Sequence, residues 1–98
     1  MPTYRNNQII FDKPTSELIV AAYDSGIVVV HGWTVNVRLE DVKAYVRDFG
    51  RNAMEDVNGG FFSHEGNFVI THSGAKLTLT ADEGTAIIKF VSEHYGLE

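Results

Sequence analysis

The chain has no cysteine, only two prolines and a single tryptophan among its 98 residues. Without cysteine there is no disulfide framework, no thiolate metal site and no cysteine nucleophile, so stability must come from packing. Positive charge is also scarce. Eight Lys and Arg stand against 13 Asp and Glu, a net charge of -5, whereas a surface that tracks phosphates needs a local basic excess. This argues against nucleic acid as the partner. Long apolar runs are missing as well: "ELIVAAY" and "GIVVV" are far too short to cross a bilayer, and "MPTYRNNQ" carries no signal-peptide hydrophobic region. A cytoplasmic protein with no membrane contact is expected. Leu97-Glu98 reads as a dipeptide left by a cloning site and carries no weight here.

What is present suits one folded domain over residues 1–98. Hydrophobic residues at 44% with charged residues at 21% are ordinary for a globular chain, and a chain of this size supports one core with little to spare. Gln8 to Phe11 is a short strand, stopped before Pro14. Residues 16–23 form a longer one whose two faces are both apolar, Leu18, Val20 and Ala22 on one and Ile19, Ala21 and Tyr23 on the other. Such a strand is either central and covered on both sides or an edge covered by a partner. "DSG" turns it into Ile27 to His31, and Thr34 to Arg38 then alternates with Val35 and Val37 inward.

From Leu39 the period changes to three and four: Leu39, Val42, Tyr45, Val46, Phe49, Ala53 and Val57 predict a helix, interrupted at Gly50 and ended by Asn58-Gly59-Gly60. Tyr45, Val46 and Phe49 are expected in the core. The order then repeats, with strands at 61–64, 68–72 and 76–80 and a second helix. That helix is opened by the capping box Thr80-Ala81-Asp82-Glu83 and stopped at Gly96. The expected fold class is therefore α+β: two successive βββα units plus a short N-terminal strand, a mainly antiparallel sheet of six or seven strands packed against two helices. Residues 16–57 and 58–96 make a possible pseudo-repeat. At an offset of 42, however, only Gly32 with Gly74 and Ala44 with Ala86 are identical, which is what unrelated sequences give.

Chemistry-bearing constellations are few. His31, His64 and His72 lie beside turns and are the metal or ligand candidates, although none of the spacings H-x-H, H-x-x-x-H or H-E-x-x-H occurs. No serine sits in a G-x-S-x-G elbow, no glycine-rich phosphate loop is present, and no catalytic residue or cofactor is assigned. Lys43, Arg47 and Arg51 form a basic stripe on the first helix, but Glu40, Asp48 and Glu55 stand close enough to pair with them. Trp33, at a turn tip, and the aromatics Tyr4, Phe61 and Phe62 are the protein-interaction candidates.

By elimination these features point to a small acidic non-enzymatic module that binds another protein, a regulator or inhibitor of the kind phages and mobile elements encode. The alternative is a small-ligand or metal-binding domain using the turn-proximal histidines. A strand apolar on both faces, with only two short helices to cover the sheet, also leads to the expectation of a two-fold homodimer.

Overall fold

The structure of the protein is a computed structural model and describes residues 2–13, 17–51, 53–54 and 58–97. Among the described residues ten elements follow one another: β1 (Thr3–Arg5), β2 (Gln8–Phe11), β3 (Leu18–Tyr23), β4 (Gly26–Val30), β5 (Thr34–Arg38), α1 (Leu39–Arg47), β6 (Gly60–His64), β7 (Asn67–His72), β8 (Ala75–Thr80) and α2 (Ala81–Tyr95). This is the α+β order of two βββα units behind an N-terminal hairpin. The strands do not make one sheet. β1 to β5 form a five-stranded antiparallel meander and β6 to β8 a three-stranded one, because α1 carries the chain away from the edge strand β5 before β6 pairs with β7. β1, three exposed residues long, has no alternation that would mark it in the sequence.

The core is built on one face of each sheet. Ile9 and Phe11 of β2 stand opposite Val20 and Leu18 of β3; Val20 and Ala22 stand opposite Val29 and Ile27 of β4; these stand opposite Val35 and Val37 of β5. All nine are buried. The smaller sheet adds Phe61, Phe68, Ile70, Leu77 and Leu79 to the same cluster, and the helices add Val42, Ile87, Phe90 and Val91. Each helix packs on both sheets: α1 on β4, β5 and β6, and α2 on β7, β8, β2 and β3. β6 thus lies under α1 as β3 lies under α2.

Matching buried faces rather than counting residues aligns the first hairpin of each unit at an offset of 41, Val20 with Phe61 and Val29 with Ile70. The third strands align at 42, Val35 with Leu77 and Val37 with Leu79. In this frame His31 falls on His72 and Val28 on Val69. The uniform offset of 42 put the hairpins out of phase by one residue, and with period two that exchanges the faces.

α2 follows its signals. Thr80 Oγ1 accepts from the Glu83 amide (3.1 Å) while Glu83 Oε1 accepts from the Thr80 amide (2.9 Å), and the helix ends on Gly96 in the left-handed region at φ 69°. α1 departs from expectation. It stops at Arg47, with Asp48 as its C-cap and Gly50 turning at φ 84°, so the apolar stripe does not extend to Phe49 and Ala53. Phe49 is not core: it is 36% exposed and only leans on Phe68, with ring centroids 5.6 Å apart. Ala53 is exposed, Val57 lies outside the described residues, and Gly60 opens β6 instead of capping a helix. Val42 is the one fully buried residue of α1, while Tyr45 and Val46 are half-buried against the core. Among the described residues no helix is long and apolar enough to cross a membrane.

Candidate functional site

Strand alternation gives the five-stranded sheet a second face, pointing away from the core. Its positions are Thr3 and Arg5 on β1, Gln8 and Ile10 on β2, Ile19, Ala21 and Tyr23 on β3, Gly26, Val28 and Val30 on β4, and Thr34, Asn36 and Arg38 on β5. The rungs across the strands group them chemically. One rung reads Thr3-Ile10-Ile19-Val30-Thr34 and the next Arg5-Gln8-Ala21-Val28-Asn36. The centre is apolar and the two edge strands are polar.

Ile10, Ile19, Val28 and Val30 are half-buried, and none belongs to the core cluster or to the side chains packed against it. Tyr23, in the same row as Ile19 and Ala21, is 47% exposed. Among the described residues neither helix covers this face, since both lie against the other one. The doubly apolar strand of the sequence is therefore a central strand covered on one side. The smaller sheet is built differently on its corresponding face, where Thr71, Lys76 and Thr78 stand beside Phe62 and Val69.

The hairpin carrying Tyr23 is held from both sides. Gly26, at φ 145°, has no room for a side chain: a Cβ there would stand 2.1 Å from the Val37 carbonyl oxygen. The Leu39 amide donates to the Ser25 carbonyl (2.8 Å), and the Tyr95 hydroxyl at the end of α2 shares its one hydrogen between the carbonyls of Tyr23 (2.5 Å) and Gly26 (2.9 Å). Burial raises the Tyr95 pKa, aided by Asp24, so the hydroxyl keeps the proton that it donates.

The other aromatic candidates separate. Trp33, in the β4–β5 turn, is 54% exposed, and Tyr4 is 59% exposed with its ring 6.3 Å from that of Phe90. Both remain available at the surface. Phe61 and Phe62 do not: they are 1% and 5% exposed. Phe61 sits in the core, and Phe62 pairs with Val69 on the opposite face of its strand. As contact candidates they are corrected to packing residues. Tyr23 was missed as a surface residue, although the alternation that placed it with Ile19 and Ala21 was legible.

The histidines do not assemble a metal site. His64 and His72 lie at opposite ends of β7 and its turns, about 17 Å apart at strand rise. His31 lies in the β4–β5 turn, where its amide donates to the Trp33 carbonyl. Among the described residues no three His, Asp or Glu side chains are placed to hold a cation. His72 instead pairs with Tyr45, hydroxyl to Nδ1 at 2.8 Å, in a groove bordered by Asn58, Gly59, Ser73 and Gly74. Burial, and after it the charge of Asp41, raises the Tyr45 pKa, which keeps this hydroxyl protonated. On the basic stripe, Arg47 makes two hydrogen bonds to Asp48 (2.9 and 3.0 Å), a local pairing on an exposed surface.

Compared with models of protein families, with curated proteins and with solved structures, the chain matches none.

Proposed function

We propose that this protein is a non-enzymatic protein-binding module, acting as a regulator or inhibitor, and that its docking surface is the outer face of the five-stranded sheet. The observation that supports this reading is the half-buried row Ile10, Ile19 and Val30, with Ala21 and Val28 beside it, facing away from the core. A sheet face of this composition is normally covered by a second layer, and contiguous exposed apolar surface marks interaction sites.

The test uses the wild type, Ile19→Lys and Tyr45→Phe as baits in an extract of the native host, followed by titration with the purified captured protein. Equal binding to wild type and Tyr45→Phe, and loss of binding to a folded Ile19→Lys variant, is the expected result. Undiminished binding to Ile19→Lys would overturn the assignment of the face.

A second reading, a small-ligand site, is favoured by the Tyr45–His72 pair and its glycine-bordered groove. It requires a saturable ligand-induced shift of the His72 ring resonances that Tyr45→Phe abolishes.

A further inference from the structure

The charges on the outer face have one sign. Among its thirteen paired outward positions there are two arginines and no carboxylate, in a chain whose acids outnumber its bases by 13 to 8. The arginines flank the Tyr23 end of the apolar row, Arg5 on the rung of Ala21 and Arg38 on the next, through Gly26 to Tyr23. β3 is the middle strand of β1-β2-β3-β4-β5, Arg5 lies on β1 and Arg38 on β5. Each arginine therefore stands two strand spacings, about 10 Å, to either side of the Ile19-Ala21-Tyr23 row. Among the described residues Arg5 forms no ion pair. Arg38 shares long, exposed contacts with Glu40 (3.8 Å) and Asp41 (3.6 Å), which are weak and exchangeable.

An α-helix laid along β3 is about 10–12 Å wide with its side chains. Its apolar stripe would lie on Ile19 and Ala21, with Ile10 and Val28 on its flanks, and its borders would fall above the two arginines. Resting on the docking role proposed above, we infer that the occupant is an amphipathic helix of another protein whose apolar stripe is bordered by carboxylates on both sides. The row from Ile19 to Tyr23 is about 13 Å long, which corresponds to about nine helical residues.

A second copy of this chain does not fit as well. Its own helices spend their apolar stripes, Val42 on one and Ile87, Phe90 and Val91 on the other, in the core. Two outer faces packed together about a two-fold axis along the strands would set Arg5 over Arg38. About an axis across the strands between their two rungs, each arginine would lie about 7 Å from its own copy. Beyond Glu40 and Asp41, already beside Arg38, neither arrangement brings a carboxylate of the outward strand positions to the arginines, and like charges across an interface oppose association.

The test uses two synthetic amphipathic peptides of about four turns, with the same leucine stripe, one bordered by Glu and the other by Lys. They are titrated into the isotope-labelled full chain and into Ile19→Lys and the double variant Arg5→Glu, Arg38→Glu, each first shown to keep a native amide spectrum; Val28→Lys replaces Ile19→Lys if that variant fails to fold. The Glu-bordered peptide is expected to shift Ile10, Ile19, Ala21 and Val28, to bind about tenfold more tightly than the Lys-bordered one, and to lose that advantage in the double arginine variant.

Equal binding of both peptides, lost in Ile19→Lys, would overturn the carboxylate requirement and leave the docking face standing. Shifts elsewhere, or no binding, would remove both. Sedimentation as a dimer that Ile19→Lys dissociates would replace the helix with a second copy. Binding of phosphatidylserine vesicles through the same residues in preference to the peptide would replace it with a membrane surface.

Discussion

Gly84 in α2 lies against the ring of Phe68 in β7 so closely that a Cβ built on the glycine would stand 2.1 Å from the Phe68 ring. The helix meets its sheet here without a side chain between them, and Phe68 occupies the space. Two effects of opposite sign decide what Gly84→Ala does. Helix propensity favours alanine by about 1 kcal/mol, whereas forcing a methyl into a packed core costs about 1–3 kcal/mol and sometimes more. The overlap with a buried ring on a central strand makes the second effect win. Gly84→Ala should lower the denaturant midpoint, and a raised midpoint would refute the packing of α2 on β7.

Glu83 makes stability depend on pH at the acid end. Burial opposes ionisation of this carboxyl, but the Thr80 amide and the Lys13 ammonium at 3.0–3.1 Å outweigh it and hold its pKa below the ordinary glutamate value. A group with a depressed folded pKa contributes stability above its unfolded pKa and loses it as pH falls through the folded one. Glu83→Gln can keep the cap hydrogen bond but not the charge. It should therefore be less stable than wild type at pH 7, with the gap closing below about pH 4.3. A gap that stays constant in acid would show that the charge plays no part.

Tyr95→Phe removes the hydroxyl shared by the Tyr23 and Gly26 carbonyls. Because water can reach this site, the expected loss is about 1 kcal/mol or less. The informative readout is local: amide exchange at the tip of the β3–β4 hairpin should accelerate while the β7–β8 amides keep their rates. Unchanged exchange at the tip would mean that Gly26 and the Leu39–Ser25 hydrogen bond hold the hairpin without Tyr95.

Phe49→Ala and Phe61→Ala separate the surface from the core. Phe61 is 1% exposed, and its truncation should cost about 3–5 kcal/mol. Phe49 is 36% exposed beyond the end of α1 and should cost about 1–2 kcal/mol. Comparable losses in thermal or chemical melts would place Phe49 in the core, as the sequence periodicity implied.

Period-two alternation and turn chemistry made most of the fold legible. Alternation sets Val35 and Val37 inward, the Thr80–Glu83 box and Gly96 bound α2, and the run Leu18 to Tyr23 is apolar on both faces. Two features were not. The stripe from Leu39 to Val57 has helical spacing, but positive φ at Gly50 breaks the geometry that the spacing assumes, so Phe49 changed environment. The division into two sheets depends on where α1 sends the chain, which no local pattern encodes. For the candidate surface, the apolar centre was visible in Ile19, Ala21 and Tyr23, but its flanking arginines were not. Arg5 and Arg38 are 33 residues apart, and only the strand order sets them on opposite sides of β3.

The most direct test of the docking face is methyl cross-saturation on the complex with the captured partner, using a deuterated chain with labelled Ile, Val and Leu methyls. Irradiating the partner should attenuate Ile10, Ile19, Val28 and Val30 and leave the core methyls of Ile87, Val91 and Leu77 untouched. Attenuation confined to Val46, the methyl-bearing residue next to Tyr45 on α1, with Ile19 and Val28 at full intensity, would contradict the account.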